Sequence, residues 1–414
     1  MPTSRNLPVD SLRIAADLEA LAALTEPGRP WTRRAFSPMF LEGRAWLEAR
    51  MKAAGLETRI DAGGNLIGRR AGRRPGSGTL MIGSHSDTVP DGGRFDGVAG
   101  VVAGLEVARA LADAGITLDH DLEIVDFLAE EVSIFGVSCI GSRAMTGQLP
   151  PDWLPRESGG RSLGTAFAEM GGDAAALPTG RNDIAGFLEL HIEQGPVLEA
   201  AGEAIGVVTA IAGITRIAVT VQGRADHAGT TPMGLRDDAL VKAAGLVLAI
   251  RDKAAGLAAG PGHFTATVGE FAIAPGAANV VPSSATMLVD ARAADRSDMD
   301  AFLGWLAGAA QAADGAAQVI SDNPPCPSAP ALCEALEAAA ARLGAPHRRM
   351  VSGAGHDTAW IGKVAPAAMI FVPCKDGRSH SPDEWAETDD IALGAAVLFE
   401  TLRALDADAD RGTD

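Results

Sequence analysis

The sequence of 414 residues contains no tyrosine, and aromatic residues make up only 4% of it. This scarcity argues against a nucleic-acid platform built on base stacking, and it removes tyrosine from the candidate acids and nucleophiles. No apolar run approaches the ~20 residues that a membrane-spanning helix needs. Positive charge is also scarce, with 35 Lys and Arg against 53 Asp and Glu and a net charge of −18, which repels phosphate backbones and anionic membranes. We expect neither a nucleic-acid nor a membrane partner.

Cysteine is rare as well, and its spacing matches neither a disulfide framework nor a CxxC metal motif. The four residues are Cys139, Cys326, Cys333 and Cys374. The first residues of the chain carry charges and prolines where a signal peptide needs an apolar stretch. We therefore expect reduced thiols and a cytoplasmic protein.

Hydrophobic residues make up 47% of the chain, enough for sizeable cores. In the first half, apolar strand patterns at 79–84 and 121–129 flank a helical pattern at 96–114, after a hairpin pattern at 56–69. Strands that alternate with helices predict an α/β fold, with a mixed, mostly parallel sheet covered by helices on both faces. Ligands of such sheets bind at the carboxyl ends of the strands.

After about residue 212 the pattern changes to an α+β unit in the order β-α-β-β-α. Its strand patterns are 214–222, 263–273 and 285–292, and its helical patterns are 237–255 and 299–313. A loop at 321–330 then leads back to a helix, a buried strand and a closing helix at 331–343, 365–372 and 388–405. We predict a discontinuous catalytic domain of residues 1–212 and 327–414, with a smaller domain inserted at 213–326.

Polar residues follow several of the predicted strands. His85 and Asp87 come directly after one strand, and Asp96 begins the following helix on a glycine-flanked turn. His85 can offer one ring nitrogen to a metal while a carboxylate such as Asp87 fixes the other. A helix cap beside a packed histidine is the simpler interpretation of these residues taken alone.

Two adjacent carboxylates, Glu130 and Glu131, end another strand, where one can bind a cation while the other accepts a proton. A solvated acidic loop is the competing interpretation. His191 and His380 also follow apolar stretches. Three histidines and several carboxylates in such places favour a site for borderline divalent ions: Zn²⁺, Mn²⁺, Co²⁺ or Ni²⁺.

These residues lie in an ordered set of motifs: GSHSDTVPDGGRFDG, EE before FGVSCIGSRAMTG, LHIEQGPVLE, DHAGTTPM, GHDT and SHSP. From about residue 10 to 405, the sequence resembles the N-carbamoyl-L-amino-acid hydrolase and allantoate amidohydrolase group of the aminoacylase/carboxypeptidase-like metallohydrolases. The resemblance implies a binuclear metal site. It also implies that the inserted domain, with a four-stranded antiparallel sheet and two helices, serves as lid and homodimerisation surface.

The resemblance further implies a role for each motif residue. Asp96 would bridge two divalent ions, Zn²⁺ or Mn²⁺ with Co²⁺ or Ni²⁺ as further candidates. The other ligands would be His85 and His191 at one ion, and Glu131 and His380 at the other. Glu130 would be the general base that activates water and returns its proton to the leaving nitrogen.

Residues of the inserted domain have implied roles as well. His227 would donate a hydrogen bond to the oxyanion, often across the dimer interface, and Asn279 and Arg292 would contact the substrate carboxylate. Gln194 would make a polar contact beside the metals, and His356, like Asp87, would support the ligands from behind. Val132 and Ile134 depart from the Gly and Arg that close relatives commonly have there, which leaves the substrate preference open.

The leading hypothesis is hydrolysis of the carbamoyl C–N bond of a small N-carbamoyl-L-amino acid, giving the amino acid, CO₂ and ammonia. Hydrolysis of allantoate or ureidoglycolate uses the same motifs. Hydrolysis of N-acyl-amino acids or dipeptides, and metal binding without catalysis, are further alternatives. Retention of both Glu130 and Glu131 argues against the last of these.

Overall fold

The computed structural model describes residues 7–177, 180–260 and 262–408. The chain divides into two units, of which the first comprises Met1–Thr209, Ser328–Met350 and His356–Asp414. The second comprises Ala210–Pro327 and Val351–Gly355, so the chain enters it twice.

Strands occur along most of the described chain. In chain order they are β1 Glu57–Ile60, β2 Leu66–Arg70, β3 Thr79–His85, β4 Asp121–Phe127, β5 Glu157–Ser158, β6 Arg161–Ser162, β7 Ile184–Ile192, β8 Ile205–Ile211, β9 Gly213–Gln222, β10 Phe264–Ala274, β11 Ser284–Ala293, β12 Gly315–Asn323, β13 Cys326–Pro327, β14 His347–Ser352 and β15 Ala367–Val372.

Helices lie before, between and after these strands, and short 3₁₀ turns occur at Pro151–Trp153, Met233–Leu235 and Lys375–Gly377. The helices are α1 Ser11–Ala23, α2 Pro38–Ala53, α3 Val98–Asp113, α4 Ile140–Met145, α5 Leu163–Glu169, α6 Val197–Ala201, α7 Ala239–Ala258, α8 Arg296–Ala312, α9 Pro330–Arg342, α10 Thr358–Ile361 and α11 Thr388–Asp408. Among the described residues, no helix combines the length and the apolar character needed to cross a membrane.

The large sheet has the strand order β1-β2-β4-β3-β7-β15-β8-β13, and β14 pairs with β8. Its four central strands, β4, β3, β7 and β15, are parallel, while β1, β2 and β8 pair antiparallel. The predicted mixed, mostly parallel sheet is therefore confirmed. The carboxyl ends of these parallel strands lie along one edge, where the motif residues follow.

Apolar packing covers both faces of this sheet, because its central strands are buried along their whole length or nearly so. On one face α3, α9 and α11 pack over the strands and α1 packs against α3 and α11, with Val101, Leu190 and Leu398 fully buried. On the other face the rings of Phe127 and Phe187 meet edge to face at 5.9 Å beside α4 and α10.

The second unit is an antiparallel sheet of order β10-β11-β9-β12, and α7 and α8 cover one of its faces. Alternate residues of β9 are buried, which gives Ile217, Val219 and Val221 to a core completed by Phe302 of α8. This arrangement confirms the predicted four-stranded sheet with two helices.

Two local details differ from the sequence patterns. Strand β12 is not singled out by the sequence, because its residues are exposed or half-buried and do not form a buried apolar face. The predicted loop at 321–330 consequently begins inside β12. Strand β4 ends at Phe127 rather than at residue 129, because Ala129 adopts a positive φ of 54° that turns the chain away from the sheet.

Candidate metal centre

The motif residues of the first unit meet at the carboxyl edge of the parallel strands. His85 is the last residue of β3, and His191 is the second-last residue of β7. Asp96 lies two residues before α3, Glu130 and Glu131 follow β4, and a loop after β15 carries His380. Side chains that are far apart in the chain are thus brought to one place by the strand order.

Two groups of donor atoms share Asp96, and within each group the atoms lie within 4.8 Å of one another. One group is His85, Asp96 and His191, all buried. The other is Asp96, Glu131 and His380, whose imidazole is half exposed. Asp96 presents Oδ1 to His191 Nε2 at 3.0 Å and Oδ2 to His380 Nε2 at 3.1 Å. One carboxylate therefore offers a separate oxygen to each group.

Hydrogen bonds to backbone carbonyls orient two of the histidines. Nδ1 of His85 lies 3.0 Å from the carbonyl oxygen of Asp87, and Nδ1 of His191 lies 2.8 Å from that of Ile192. A carbonyl only accepts, so each Nδ1 carries a proton and each ring faces the carboxylates through Nε2, which offers a lone pair when the ring is neutral. The N–H of Gly97, which donates to His191 Nε2 at 3.1 Å, agrees with this tautomer.

The donor atoms of both groups are of the types that bind divalent cations. A nitrogen lone pair that faces a carboxylate oxygen is repulsive unless a proton or a cation lies between them. The imidazole and carboxylate donors, without a thiolate in either group, suit Zn²⁺, Mn²⁺, Co²⁺ or Ni²⁺. Gly97 leaves the necessary room, because its φ is +65° and an added Cβ would lie 2.3 Å from His85 Nε2.

The electrostatics of the carboxylates follow from burial and from these contacts. Burial favours the neutral form of Asp96, but hydrogen bonds with His191 and His380 outweigh it and hold the pKa of Asp96 well below its usual value. Hydrogen bonds with Asp96 and Glu131 raise the pKa of His380 to about 11. In the absence of cations, protons on the histidines balance the carboxylates, and metal binding would release such protons.

Glu130 lies beside the two donor groups but belongs to neither. Its Oε2 is 3.6 Å from His85 Nε2. Burial, together with the neighbouring Glu131 carboxylate, raises the pKa of Glu130 well above the usual glutamate value despite the attraction of His85. A carboxylate with a raised pKa accepts a proton more readily than an ordinary glutamate.

Asp87 contacts the site in a different way from the one its spacing suggests. The nearest acceptor to His85 Nδ1 is the backbone carbonyl of Asp87, while its carboxylate Oδ1 is 3.5 Å away. The carboxylate instead accepts the backbone N–H groups of Glu130 and Glu131, at 3.2 Å each. Asp87 therefore fixes the segment that carries both glutamates.

Gln194 and His356 also border the donor groups. Gln194 Nε2 donates to Asp96 Oδ2 at 3.0 Å, and its Oε1 is buried without a hydrogen-bond partner in the described part of the chain. The ring of His356 packs edge to face on His191 with centroids 4.6 Å apart. Burial, followed by the nearby His191, lowers the pKa of His356 well below its usual value. A neutral His356 supports the ligand without adding charge.

His227, Asn279 and Arg292 belong to the second unit. Nδ1 of the exposed His227 accepts the backbone N–H groups of Gly229 at 3.0 Å and Thr230 at 3.2 Å, so the neutral ring carries its proton on Nε2.

The other two residues of this set are held by backbone and side-chain contacts. The carbonyl of Asn279 accepts the N–H of Ala228 at 2.9 Å, which brings Asn279 beside the His227 segment. Arg292 is held by the carboxylate of Asp290 at 2.8 Å and by the carbonyl of Gly353 at 2.7 Å.

A family model described as peptidase family M20/M25/M40 matches residues 81–404, a span that includes every residue of the two donor groups. The chain belongs to the M20/M25/M40 peptidase family.

Individual proteins show which members of this family the chain is similar to. An N-carbamoyl-L-amino-acid amidohydrolase from Paenarthrobacter aurescens is 38% identical over 405 residues, which cover 95% of this chain and 98% of that protein. A ureidoglycolate hydrolase from Oryza sativa subsp. japonica is 34% identical over 413 residues, covering 96% and 85%. The crystal structure of a hydantoinase/carbamoylase family amidase from Burkholderia multivorans matches with a TM-score of 0.88 at 36% identity, over 96% of this chain and 98% of that one. The resemblance inferred from the motifs is confirmed.

This member of the M20/M25/M40 family has two buried acidic residues behind the site to which the motif resemblance assigns no role. Glu189, two residues before His191, accepts hydrogen bonds from Ser84 Oγ at 2.8 Å and from Thr358 Oγ1 at 2.5 Å. Asp357 accepts one from Ser142 Oγ at 2.5 Å. A lone acidic residue inside an apolar strand, as in GFLEL, is the sequence signal that could have indicated Glu189.

Proposed function

We propose that this chain is a metal-dependent amidohydrolase that cleaves the carbamoyl C–N bond of N-carbamoyl-L-amino acids. The reaction consumes one water and releases the amino acid, CO₂ and ammonia. The proposal rests on one observation. Two histidine-containing donor groups share Asp96, and Glu130 lies beside them without belonging to either. The names of relatives such as the 38% identical Paenarthrobacter aurescens protein support the choice of substrate class.

Two divalent cations would be held by the two donor groups, with Asp96 common to both. When bound, these cations would polarise the carbamoyl carbonyl and acidify water. Glu130 takes the proton of the attacking water and returns it to the departing nitrogen of the amino acid, which suits its raised pKa. Water can then serve as the nucleophile, so no serine or cysteine is required.

The second unit would contribute binding groups. His227, whose neutral ring carries its proton on Nε2, donates to the carbonyl oxygen as negative charge develops there. Arg292 and Asn279 bind the α-carboxylate, and Arg292 is kept in one orientation by Asp290 and Gly353. Gln194 adds a polar contact beside Asp96.

We further propose that two copies associate through the second unit. Strand β10 is an edge strand of its sheet, and it exposes apolar side chains: Phe271 is 42% and Ile273 is 38% accessible. Unpaired edges with exposed apolar residues favour pairing with another chain. Sedimentation analysis should give a dimer, and the double substitution of Phe271→Glu and Ile273→Glu should give a monomer. A monomeric unsubstituted protein would contradict this proposal.

A substrate panel tests the proposed activity. Metal-loaded protein is assayed with N-carbamoyl-L- and N-carbamoyl-D-amino acids, allantoate, ureidoglycolate and N-acetyl-L-amino acids. We expect ammonia from the N-carbamoyl-L-amino acids in preference to the others. Faster turnover of allantoate or ureidoglycolate would move the assignment to that alternative, and the Oryza sativa relative is named a ureidoglycolate hydrolase. Release of acetate would indicate an aminoacylase, and metal binding without any turnover would indicate a non-catalytic protein.

A further inference from the structure

Glu384 is a buried carboxylate that belongs to neither donor group yet contacts the shared ligand. It is 2% accessible. Its Oε1 accepts the backbone N–H groups of Phe95 at 2.8 Å and Asp96 at 3.0 Å, and its Oε2 accepts the hydroxyl of Ser379 at 2.7 Å. Both oxygens are therefore occupied by hydrogen bonds from neighbouring groups.

These three hydrogen bonds join the loop that carries Asp96 to the loop that carries His380. The two ligands are 284 positions apart in the sequence, and the Asp96–His380 contact exists only while the loops stay together. The Ser379 hydroxyl also lies 3.0 Å from Asp96 Oδ2, so it touches the ligand as well as Glu384. From these contacts we infer that Glu384 is the positioning residue that holds Asp96 and His380 in register for metal binding.

The backbone of His380 makes such a support necessary. Its φ is +54°, a left-handed conformation that is unfavourable for a residue with a side chain and persists only when its surroundings hold it. Glu384 lies four positions after His380 and Ser379 directly precedes it. The Glu384 carboxylate accepts hydrogen bonds from the Asp96 loop and from Ser379, so it holds the turn around His380 in place.

Gly93 makes room for this carboxylate. A Cβ added at position 93 would lie 1.9 Å from Oε1 of Glu384, closer than any non-bonded contact allows. The GGRFD segment and Glu384 therefore depend on each other, and Gly93→Ala would push the carboxylate away from the N–H groups of Phe95 and Asp96.

Aromatic packing braces the same two loops next to Glu384. The ring of Phe95 meets that of Trp385 edge to face at 5.4 Å, and the guanidinium of Arg94 lies 4.6 Å from the Trp385 ring centroid. The indole of Trp31 donates to the carbonyl of Pro382 at 3.3 Å. These contacts keep the loops close when Glu384 is replaced, so a variant should stay folded while losing the fine placement of Asp96.

The inference rests on the proposed metal centre, and metal affinity tests it directly. Zn²⁺ dissociation constants and stoichiometry are measured by chelator competition for the unsubstituted protein, Glu384→Gln and Glu384→Ala. Loss of residues that orient metal ligands weakens metal binding by about 10–100-fold. We expect a weakening in that range for at least one Zn²⁺ in Glu384→Ala. Glu384→Gln should be less affected, because its amide oxygen still accepts the two N–H groups.

Glu387→Ala is the matched control, because Glu387 lies on the same segment and its carboxylate contacts the exposed Trp385 indole at 2.8 Å instead of a ligand. It should bind Zn²⁺ like the unsubstituted protein. The visible spectrum of Co²⁺-loaded protein should change in Glu384→Ala and stay the same in the control. Circular dichroism establishes that each variant is folded, and Gly93→Ala replaces Glu384→Ala if the latter does not fold.

The outcomes separate this inference from the proposed function. If the unsubstituted protein binds no divalent metal, the proposed function is wrong. If it binds two and folded Glu384→Ala binds both with unchanged affinity and an unchanged Co²⁺ spectrum, the role of Glu384 is wrong and the proposed function stands. Equal weakening in the Glu387→Ala control would also overturn the role, since the effect would then not be specific to Glu384.

Discussion

The thiol of Cys139 lies 3.4 Å from Oε1 of Glu130, the carboxylate to which we assign proton transfer. Cys139 is buried, and burial, together with the negative charge of Glu130, raises its pKa well above the usual thiol value. The thiol therefore stays protonated and can donate a weak hydrogen bond to the carboxylate. A side chain that comes nine residues after Glu130 thus contacts one of its two carboxylate oxygens.

The first prediction concerns this contact. Cys139→Ala should lower kcat by roughly tenfold, which corresponds to about 1.4 kcal/mol in the activation barrier. Cys139→Ser keeps a hydroxyl donor and should restore most of the rate, and Zn²⁺ stoichiometry should not change in either variant. Steady-state kinetics and metal analysis measure both effects. Equal activity of the alanine variant and the unsubstituted protein would mean that the contact does not position Glu130.

The two adjacent glutamates should respond differently to the same substitution. Glu130→Gln should keep both metal ions and lose on the order of 10²–10⁴-fold in rate, as expected for the loss of a general base. Glu131→Gln should instead lose metal, because Glu131 belongs to a donor group with Asp96 and His380. Metal content by mass spectrometry and kcat are compared for the pair. Loss of metal from Glu130→Gln with retention in Glu131→Gln would reverse the two assignments.

Arg292 should distinguish substrates by their charge. Arg292→Ala should raise KM for N-carbamoyl-amino acids, because the variant lacks the guanidinium that binds the carboxylate. Uncharged ureido analogues should be hydrolysed as well by the variant as by the unsubstituted protein. A similar loss for charged and uncharged compounds would show that Arg292 acts only on the structure around Asp290 and Gly353, with which it forms hydrogen bonds.

A fourth prediction addresses stability in acid, far from the metal centre. Hydrogen bonding with Arg181 lowers the pKa of Asp183 to about 2. Because the folded pKa lies below the unfolded value of about 3.9, this carboxylate stabilises the fold above that pH, and the contribution is lost as pH falls from about 4 to 2. The Asp183 side chain is 47% accessible, so solvent screening keeps the effect below about 1 kcal/mol.

Denaturant unfolding of Asp183→Asn tests this effect. The variant should be less stable than the unsubstituted protein at pH 6, and the difference should vanish near pH 2. Asp173→Asn is a suitable control, because Asp173 is outside the large sheet and its carboxylate accepts the local N–H of Ala175. A stability difference for Asp183→Asn that does not change with pH would contradict the prediction.

Much of the fold could be predicted because apolar periodicity reports burial. Strands such as β3 and β15 are buried throughout, and the helix pattern of α3 stands out between β3 and β4. Strand β12 could not be predicted, since an edge strand with exposed side chains leaves no clear pattern. The end of β4 also escaped prediction, because the positive φ of Ala129 depends on the loop that follows it.

The sequence by itself determined the residue types of the site and their order along the chain, because imidazole and carboxylate donors after apolar strands restrict the chemistry to a few kinds of ion. Only the tertiary structure decided that Asp96 presents one oxygen to each donor group, that Asp87 holds the backbone of both glutamates, and that Glu384 ties Asp96 to the His380 loop. These contacts join loops that are up to 289 positions apart, and their geometry depends on backbone conformations that local sequence does not fix.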